Sequence, residues 1–414
     1  MREMKDSGIE WIGDIPQNWN MSKIGSLYTQ RNEKVSDKEY QPLSVTMQGV
    51  LPQLASAAKT DDGDNRKLVR VGDFAINSRS DRRGSCGISP LDGSVSLINI
   101  ILTPRTTMHP GYYDWLFHTT LFADEFYKWG HGIVADLWTT RWQEMKSICV
   151  PVPEYAEQKR ISEFLNSECA EIDAVLKKTR ASIDEYKKLK QSVITQAVTK
   201  GIRGDRPMKD SGIEWIGEIP KSWGINTIFQ LCTQVKNKNV ELIENNLLSL
   251  SYGKIKRKNI DAVEGLLPES FDGYNIIEKD DIVLRLTDLQ NDHTSLRVGI
   301  SEERGIITSA YLTIRNRSNF IPKYLYYYLH SFDISKGFYG MGAGVRQSLN
   351  WDGLKWLKVI TPSREEQEQI AEFLNTKCTE IDNLILKKEQ YITEIEKYKK
   401  SLIYEYVTGK KEVI

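Results

Sequence analysis

MKDSGIEWIGDIPQNW, Met4 to Trp19, returns as MKDSGIEWIGEIPKSW at Met208 to Trp223, with changes only at Asp14/Glu218, Gln17/Lys221 and Asn18/Ser222. Thirteen identities in sixteen positions exclude chance, so the chain is written twice. A second matching pair follows: PEYAEQKRISEFLNSECAEID from Pro153, and PSREEQEQIAEFLNTKCTEID from Pro362. Fainter echoes lie between these anchors in unchanged order. They are Leu43-Ser44 with Leu248-Ser249, Gly72-Asp73 with Asp280-Asp281, Tyr112 to His118 with Tyr324 to His330, and Phe126-Tyr127 with Phe338-Tyr339. The offsets drift only from 204 to 212, as expected of two copies of one fold that differ by small loop insertions. The ends of the unit stay nearly identical while the interior diverges, which suggests two fixed docking ends around a variable working surface.

From Ala156 to Val198 the chain has no Pro or Gly, and apolar residues recur at alternating steps of four and three: Ile172, Leu176, Ile183, Tyr186, Val193, Ala197. The second copy, Glu365 to Val407, gives Ile381, Ile385, Ile392, Ile395, Leu402, Tyr406. Both series break at the same two steps, at Thr179 and Lys190 in one copy and Lys388 and Lys399 in the other. Such a heptad seam, on a helix of roughly 60 Å at about 1.5 Å per residue, is too long to lie on its own small domain. The two seams are therefore expected to pair with each other as an antiparallel coiled coil. The fold class that follows is mixed α/β (α+β): two repeated domains joined by two long helices with pseudo-two-fold symmetry. Residues 1–155 form the first domain, 156–200 a central helical spacer, 201–361 the linker GIRGDRP and second domain, and 362–414 a C-terminal spacer. Symmetry places the first entry motif near the end of the second helix, around Thr408.

With 414 residues, 40% apolar and 27% charged, the composition fits a soluble globular protein of two or three domains. No membrane-length apolar run or signal peptide is visible, so a cytoplasmic location is expected. The five cysteines are scattered without a CxxC pair, which makes a disulfide framework or zinc site improbable. Formal net charge is zero, whereas a stand-alone nucleic-acid binder usually carries a basic excess. Any phosphate contacts must come from local patches, with a partner supplying the rest.

Such patches exist. VRVGDFAINSRSDRRGS from Val69 resembles a strand ending in a basic loop, with Arg79, Arg82 and Arg83 at its end, and YGKIKRK at Tyr252 to Lys258 offers Lys254, Lys256, Arg257 and Lys258. Period-two spacing sets Phe74, Ile76 and Ser78 against Ala75, Asn77 and Arg79; in KDDIVLRLTDLQ it sets Ile282, Leu284 and Leu286 against Val283, Arg285 and Thr287. Asn77 thus matches Arg285, and Arg79 matches Thr287: positions kept polar with changed identities, which suits base readout, where Arg prefers guanine and Asn adenine. The glycine loop GAGVRQS adds Arg346 and Gln347, opposite GHGIVAD at Gly130 to Asp136. The aromatic runs YYDWLFH and YLYYYLH recur at helical spacing with Leu and Phe and are read as core rather than as base-stacking platforms. No Gly-rich phosphate loop, GxGxxG after a strand, Asn-Pro-Pro-aromatic tetrapeptide or HExxH pair occurs, so no catalytic centre or metal site is expected.

The motif SGIEWIGDIP, the run Pro-x-x-x-Glu-Gln-x-x-Ile at Pro153 and Pro362, and the twofold layout together resemble the specificity subunits of Type I restriction-modification systems over nearly the whole chain. The resemblance implies two target-recognition domains, each reading part of a bipartite double-stranded DNA sequence. It also implies helical spacers that bind two methyltransferase subunits, and restriction subunits that join later. S-adenosylmethionine and ATP would then sit on those partners, with no cofactor in this chain. A coiled-coil scaffold that joins two proteins without reading DNA is the competing reading; it accounts for the neutral charge and the helices but not for basic segments on both domains.

Overall fold

The Pro- and Gly-free stretches form the two long helices, Tyr155–Lys200 and Arg364–Val407, within two residues of the limits set by the seam. The computed structural model describes residues 2–53, 63–132, 138–260, 270–292, 294–317, 320–342 and 347–413. Its fold is mixed α/β, in two compact units: Met1–Thr179 with Glu389–Ile414, and Arg180–Lys388. Each unit thus holds part of both long helices.

Within each unit the helices run antiparallel. In the first, the Phe164 and Tyr406 rings lie 4.4 Å apart and Lys399 Nζ reaches Asp173 at 2.6 Å. In the second, Lys388 sits over the Tyr186 ring at 5.7 Å and Lys190 Nζ lies 2.7 Å from both carboxylate oxygens of Asp382. These contacts explain the interrupted seam. Lys190 and Lys399 are equivalent, as are Asp382 and Asp173, so each copy answers the lysine at its second break from the facing helix; at the first break Lys388 covers the Tyr186 ring, and the Thr179 hydroxyl donates to the Val175 carbonyl of its own helix. Such partly exposed pairs contribute about 1 kcal/mol or less, but a lone polar seam residue fixes register.

The domain body of the first unit is a four-stranded antiparallel sheet in the order Cys86–Ile88, Phe74–Asn77, Asn99–Pro104, Tyr28–Arg31. The aromatic run Tyr112 to Phe117 lies on one face, in a core with Phe74 and Ile76, as the helical spacing predicted. The opposite face is covered too: Ala75 and Ile101 pack with Leu43 and Val50 of a hairpin, Leu43–Thr46 with Gly49–Pro52. The second unit repeats the scheme with Cys232–Gln234, Leu312–Asn316, Ile282–Leu284 and Val298–Ile300. The helix Pro322–Ile334 covers one face, and the hairpin Leu248–Ser251 with Lys254–Arg257 the other.

The near-identical ends are used internally. The indole of Trp19 donates to Glu157, which also receives Arg2; Trp223 and Arg206 do the same for Glu366. The next residue anchors the aromatic helix: Gln158 accepts from the His109 N–H and donates to Pro153 O, and Gln367 does so for Ile321 and Pro362. The Glu-Gln pair of the repeated motif therefore clamps the entry motif and the domain onto the start of a long helix.

The end of the other helix closes the same clamp. Lys410 Nζ donates to the carbonyls of Ile12 and Asp14, and Lys200 Nζ to those of Ile216 and Glu218, the equivalent pair. The order of Lys and Gly is reversed between the copies, Lys200-Gly201 against Gly409-Lys410, yet both lysines reach the same place. Both glycines adopt positive φ, which ends the helix at low steric cost. The first entry motif thus meets the end of the second helix around Thr408, as the repeat predicted.

Candidate nucleic-acid interface

Strand alternation correctly divides Phe74 and Ile76 from Ala75, and Ile282 and Leu284 from Val283, but both faces are core. The small hairpins cover the face expected to point outward. Asn77 is buried, at 7% exposure, and its Oδ1 accepts the N–H of Arg79 at 3.1 Å, shaping the turn that follows. Asn77 is a turn-former here.

Beyond that turn the chain emerges. Arg79 is exposed and lines a cleft of about 480 Å³ with Lys67, Gln30, Asn32, Arg141 and Gln143. Arg82 is exposed beside Asp81, while Arg83 is tied to Asp124 and lies over the Tyr127 ring. Of the other basic residues in this stretch, Arg66 is buried against Ser94 and Lys67 reaches the Asn99 carbonyl; burial lowers the pKa of both. Arg141 carried no sequence signal beyond its charge. The fold brings it to Arg79 through the bridge between Arg79 and Thr139.

In the second unit, Arg285 is half-exposed and pairs with Asp292 at 3.5 Å. Asp292 is held well below the ordinary carboxylate range, chiefly by the Ser295 hydroxyl and N–H. The side chain of Thr287 is half-buried and its carbonyl receives Arg297. Sequence reasoning missed Arg297, which is fully buried and donates to the carbonyls of Arg285, Thr287, Asp288 and Asp292, holding this loop in shape. Gln347 is half-buried in a left-handed conformation, and its carbonyl pairs with the Leu289 N–H. Arg346 lies outside the described residues.

The hairpin Leu248–Ser251 with Lys254–Arg257 sorts its basic residues by register. Leu248, Leu250 and Ile255 face the sheet; on the same face, Arg257 is drawn to Glu303, which raises its pKa and lowers that of Glu303. Ser249, Ser251, Lys254 and Lys256 occupy the opposite face. Lys254, Lys256 and Lys258 are exposed and form no ion pair among the described residues. The second unit thus presents a lysine-rich ribbon, and the first an arginine loop beside a polar cleft.

No protein-family model matches the chain. It is 22% identical to the MjaX specificity subunit, assigned to a type I restriction enzyme of Methanocaldococcus jannaschii, across 96% of this chain and 95% of that one. It is 28% identical to the MjaVIII type I specificity subunit of the same organism, across 64% and 62%. Its curated relatives are type I specificity subunits. Among solved structures, a chain from work on complex assembly and conformational transition of the type I R-M system superposes with a TM-score of 0.71 at 12% identity, covering 95% of this chain and 98% of that one. The HsdS subunit of Thermoanaerobacter tengcongensis superposes with a TM-score of 0.53 at 14% identity, over 96% and 98%. The fold of type I specificity subunits is thus shared along the length of this chain.

Among the described residues no helix is long and apolar enough to cross a membrane, and no cluster of His, Cys, Asp or Glu could hold a metal.

Proposed function

We propose that the chain is the DNA-sequence-recognition subunit of a type I restriction-modification complex, working in the cytoplasm without a catalytic centre of its own. Each unit reads one half of a bipartite double-stranded target. Two methyltransferase subunits carrying S-adenosylmethionine dock on it, and ATP-dependent restriction subunits join them. The observation that carries this reading is the duplication. Two units share one clamp and one sheet plan, yet expose different polar surfaces: the Arg79 to Arg83 loop and cleft in one, the Lys254 to Lys258 ribbon in the other. A shared frame with changed letters suits two different half-sites. Relatives that are type I specificity subunits support the same reading.

The experiment is co-expression with the methyltransferase subunit of the proposed complex, followed by mapping of methylated adenines across the host genome. A split motif with an unspecified gap is the expected result. Absence of new methylation from a complex that assembles would favour the scaffold reading.

A further inference from the structure

Among the described residues the two most exposed large apolar side chains are Tyr252, at 81%, and Met47, at 71%. They occupy the same position in the repeat, at the tips of the hairpins Leu248–Ser251 with Lys254–Arg257 and Leu43–Thr46 with Gly49–Pro52.

The backbone sharpens the observation. Tyr252 and Gly253 adopt φ of 47° and 74°, the two-residue hairpin turn with positive φ at both central positions, where Asn and Gly are preferred. A tyrosine in the left-handed region is there against both its conformational preference and its hydrophobicity. In the first copy the left-handed residue is Gly49, which leaves Met47 free of strain but just as exposed. The stalks are seated on their sheets: at Gly299 an added Cβ would lie 2.6 Å from Cδ1 of the buried Leu250, and at Gly87 one would lie 2.7 Å from Gly49 Cα, while nearer its tip the second hairpin, with Tyr252 and Lys254, borders a cleft of about 710 Å³ lined also by Lys187, Gln191 and Tyr326. Each unit therefore holds a largely exposed bulky apolar side chain at the tip of a hairpin whose base is packed on the sheet.

We propose that Tyr252 and Met47 are wedges that insert into the stacked duplex, each unstacking one base step in the half-site its unit reads. This rests on the DNA-reading function proposed above and adds a specificity term: the unstacking cost depends on the step, so flexible pyrimidine–purine steps are favoured where the tip enters. The charges favour DNA over a protein partner. The exposed Lys254 and Lys256 lie on the strand that follows Tyr252, and Lys258 just beyond it, a row of cations suited to the phosphates flanking an opened step. In the first unit Gln48, beside Met47, offers an amide to a base edge.

The test uses the full chain in complex with its methyltransferase, on duplexes carrying the methylome-derived motif with 2-aminopurine placed in turn at each step. Wild type is expected to raise the fluorescence at one step in each half. Tyr252→Asn suits the turn better than tyrosine, so the hairpin should persist; the rise in one half should vanish, with about a tenfold loss of affinity, while Tyr252→Phe retains both. Met47→Ala should act in the same way on the other half. Three outcomes would overturn the proposal: no fluorescence rise in wild type, unchanged binding and fluorescence in Tyr252→Asn, or loss of methyltransferase subunits from Tyr252→Asn without DNA, which would assign the tip to protein docking. A wild-type chain that directs no split-motif methylation would defeat the DNA-reading function and the wedge together; a split motif indifferent to both tips defeats the wedge alone.

Discussion

Trp19 and Glu157, 138 residues apart in the chain, meet in a buried hydrogen bond of 2.8 Å from the indole N–H to Oε2. Trp223 and Glu366 repeat it at 2.8 Å. Each carboxylate also faces an arginine, Arg2 or Arg206. Removing the acid leaves a largely buried guanidinium and an indole N–H without partners. Glu157→Ala is therefore expected to destabilise the first unit by roughly 3 kcal/mol, and Glu366→Ala the second by a similar amount. Glutamine in the same place keeps an acceptor for the indole and should cost about 1 kcal/mol. Urea unfolding of the full chain, followed by tryptophan fluorescence, measures the difference; equal midpoints for Ala and Gln would show that the clamp contributes only packing.

Two groups on the helix Pro322–Ile334 should give opposing pH dependences. Burial pushes Asp333 up to about 6 from 3.8, although the Arg297 N–H donates to it and the charges of Arg297 and Lys336 pull the other way. Between pH 4 and 6 the folded chain keeps a proton that the unfolded chain has lost, so this group makes stability fall as pH rises through that window. Burial, with help from Lys190, pushes His330 down to about 4 from 6.5. There the unfolded chain holds the extra proton, so stability rises with pH from about 4 to 6.5. The two terms are of similar size, roughly 3 kcal/mol each, and nearly cancel. Asp333→Asn should uncover the rise and His330→Gln the fall, in thermal melts recorded from pH 4 to 7. Flat profiles in both variants would refute the assignment.

The helices, their pairing and the meeting of the first entry motif with the end of the second helix were legible in the sequence because they rest on periodicity and on near-identical repetition, which survive without tertiary context; the repeated ends pointed to docking surfaces, and their internal use as a clamp shows only in the folded chain. The candidate interface was less so. Alternation separated Ala75 from Phe74 correctly but could not tell a solvent face from a second core, because the covering hairpin comes from residues about thirty positions earlier. Asn77, expected on the outward face, is buried at the end of its strand. Arg297, Arg141 and the exposed tips at Met47 and Tyr252 gave no local signal; their roles arise from backbone carbonyls and strand neighbours brought together only on folding.

Residues 20 to 150 are expected to be exchangeable as a module, and the strand pairing supports the choice of junctions. Asn20 is the register partner of Val152 and Ser22 that of Val150, so the two junctions are neighbours; the clamp side chains Arg2, Trp19, Glu157 and Gln158 lie outside them, and Gln158 reaches into the segment only at the backbone N–H of His109. Replacing this segment with the equivalent from a relative is expected to change one half of the methylated motif and leave the other half intact. Adenine-methylation mapping checks it, and a swap that altered both halves would show that the units do not read independently.

The helices should set the gap between half-sites, and the structure dictates where to lengthen them. Insertion between Thr199 and Pro207 would open the clamp made by Lys200 and Arg206, so there the expected effect is loss of stability. Insertion in one helix alone would shift the register of Lys190 with Asp382 and Lys399 with Asp173. Whole heptads should instead be added to both helices at equivalent points, between Ala181 and Ser182 and between Gln390 and Tyr391, so that the seams stay matched. One heptad adds roughly 10 Å, about three base pairs, which turns the distant half-site to another side of the duplex and should weaken methylation. Three heptads add roughly 31 Å, close to the ~34 Å turn of B-DNA, and should restore methylation of a motif whose half-site letters are unchanged and whose gap is longer by about nine or ten pairs. Methylome mapping of the two variants decides the matter: full methylation of the original motif by the three-heptad chain would show that the paired helices do not measure the target.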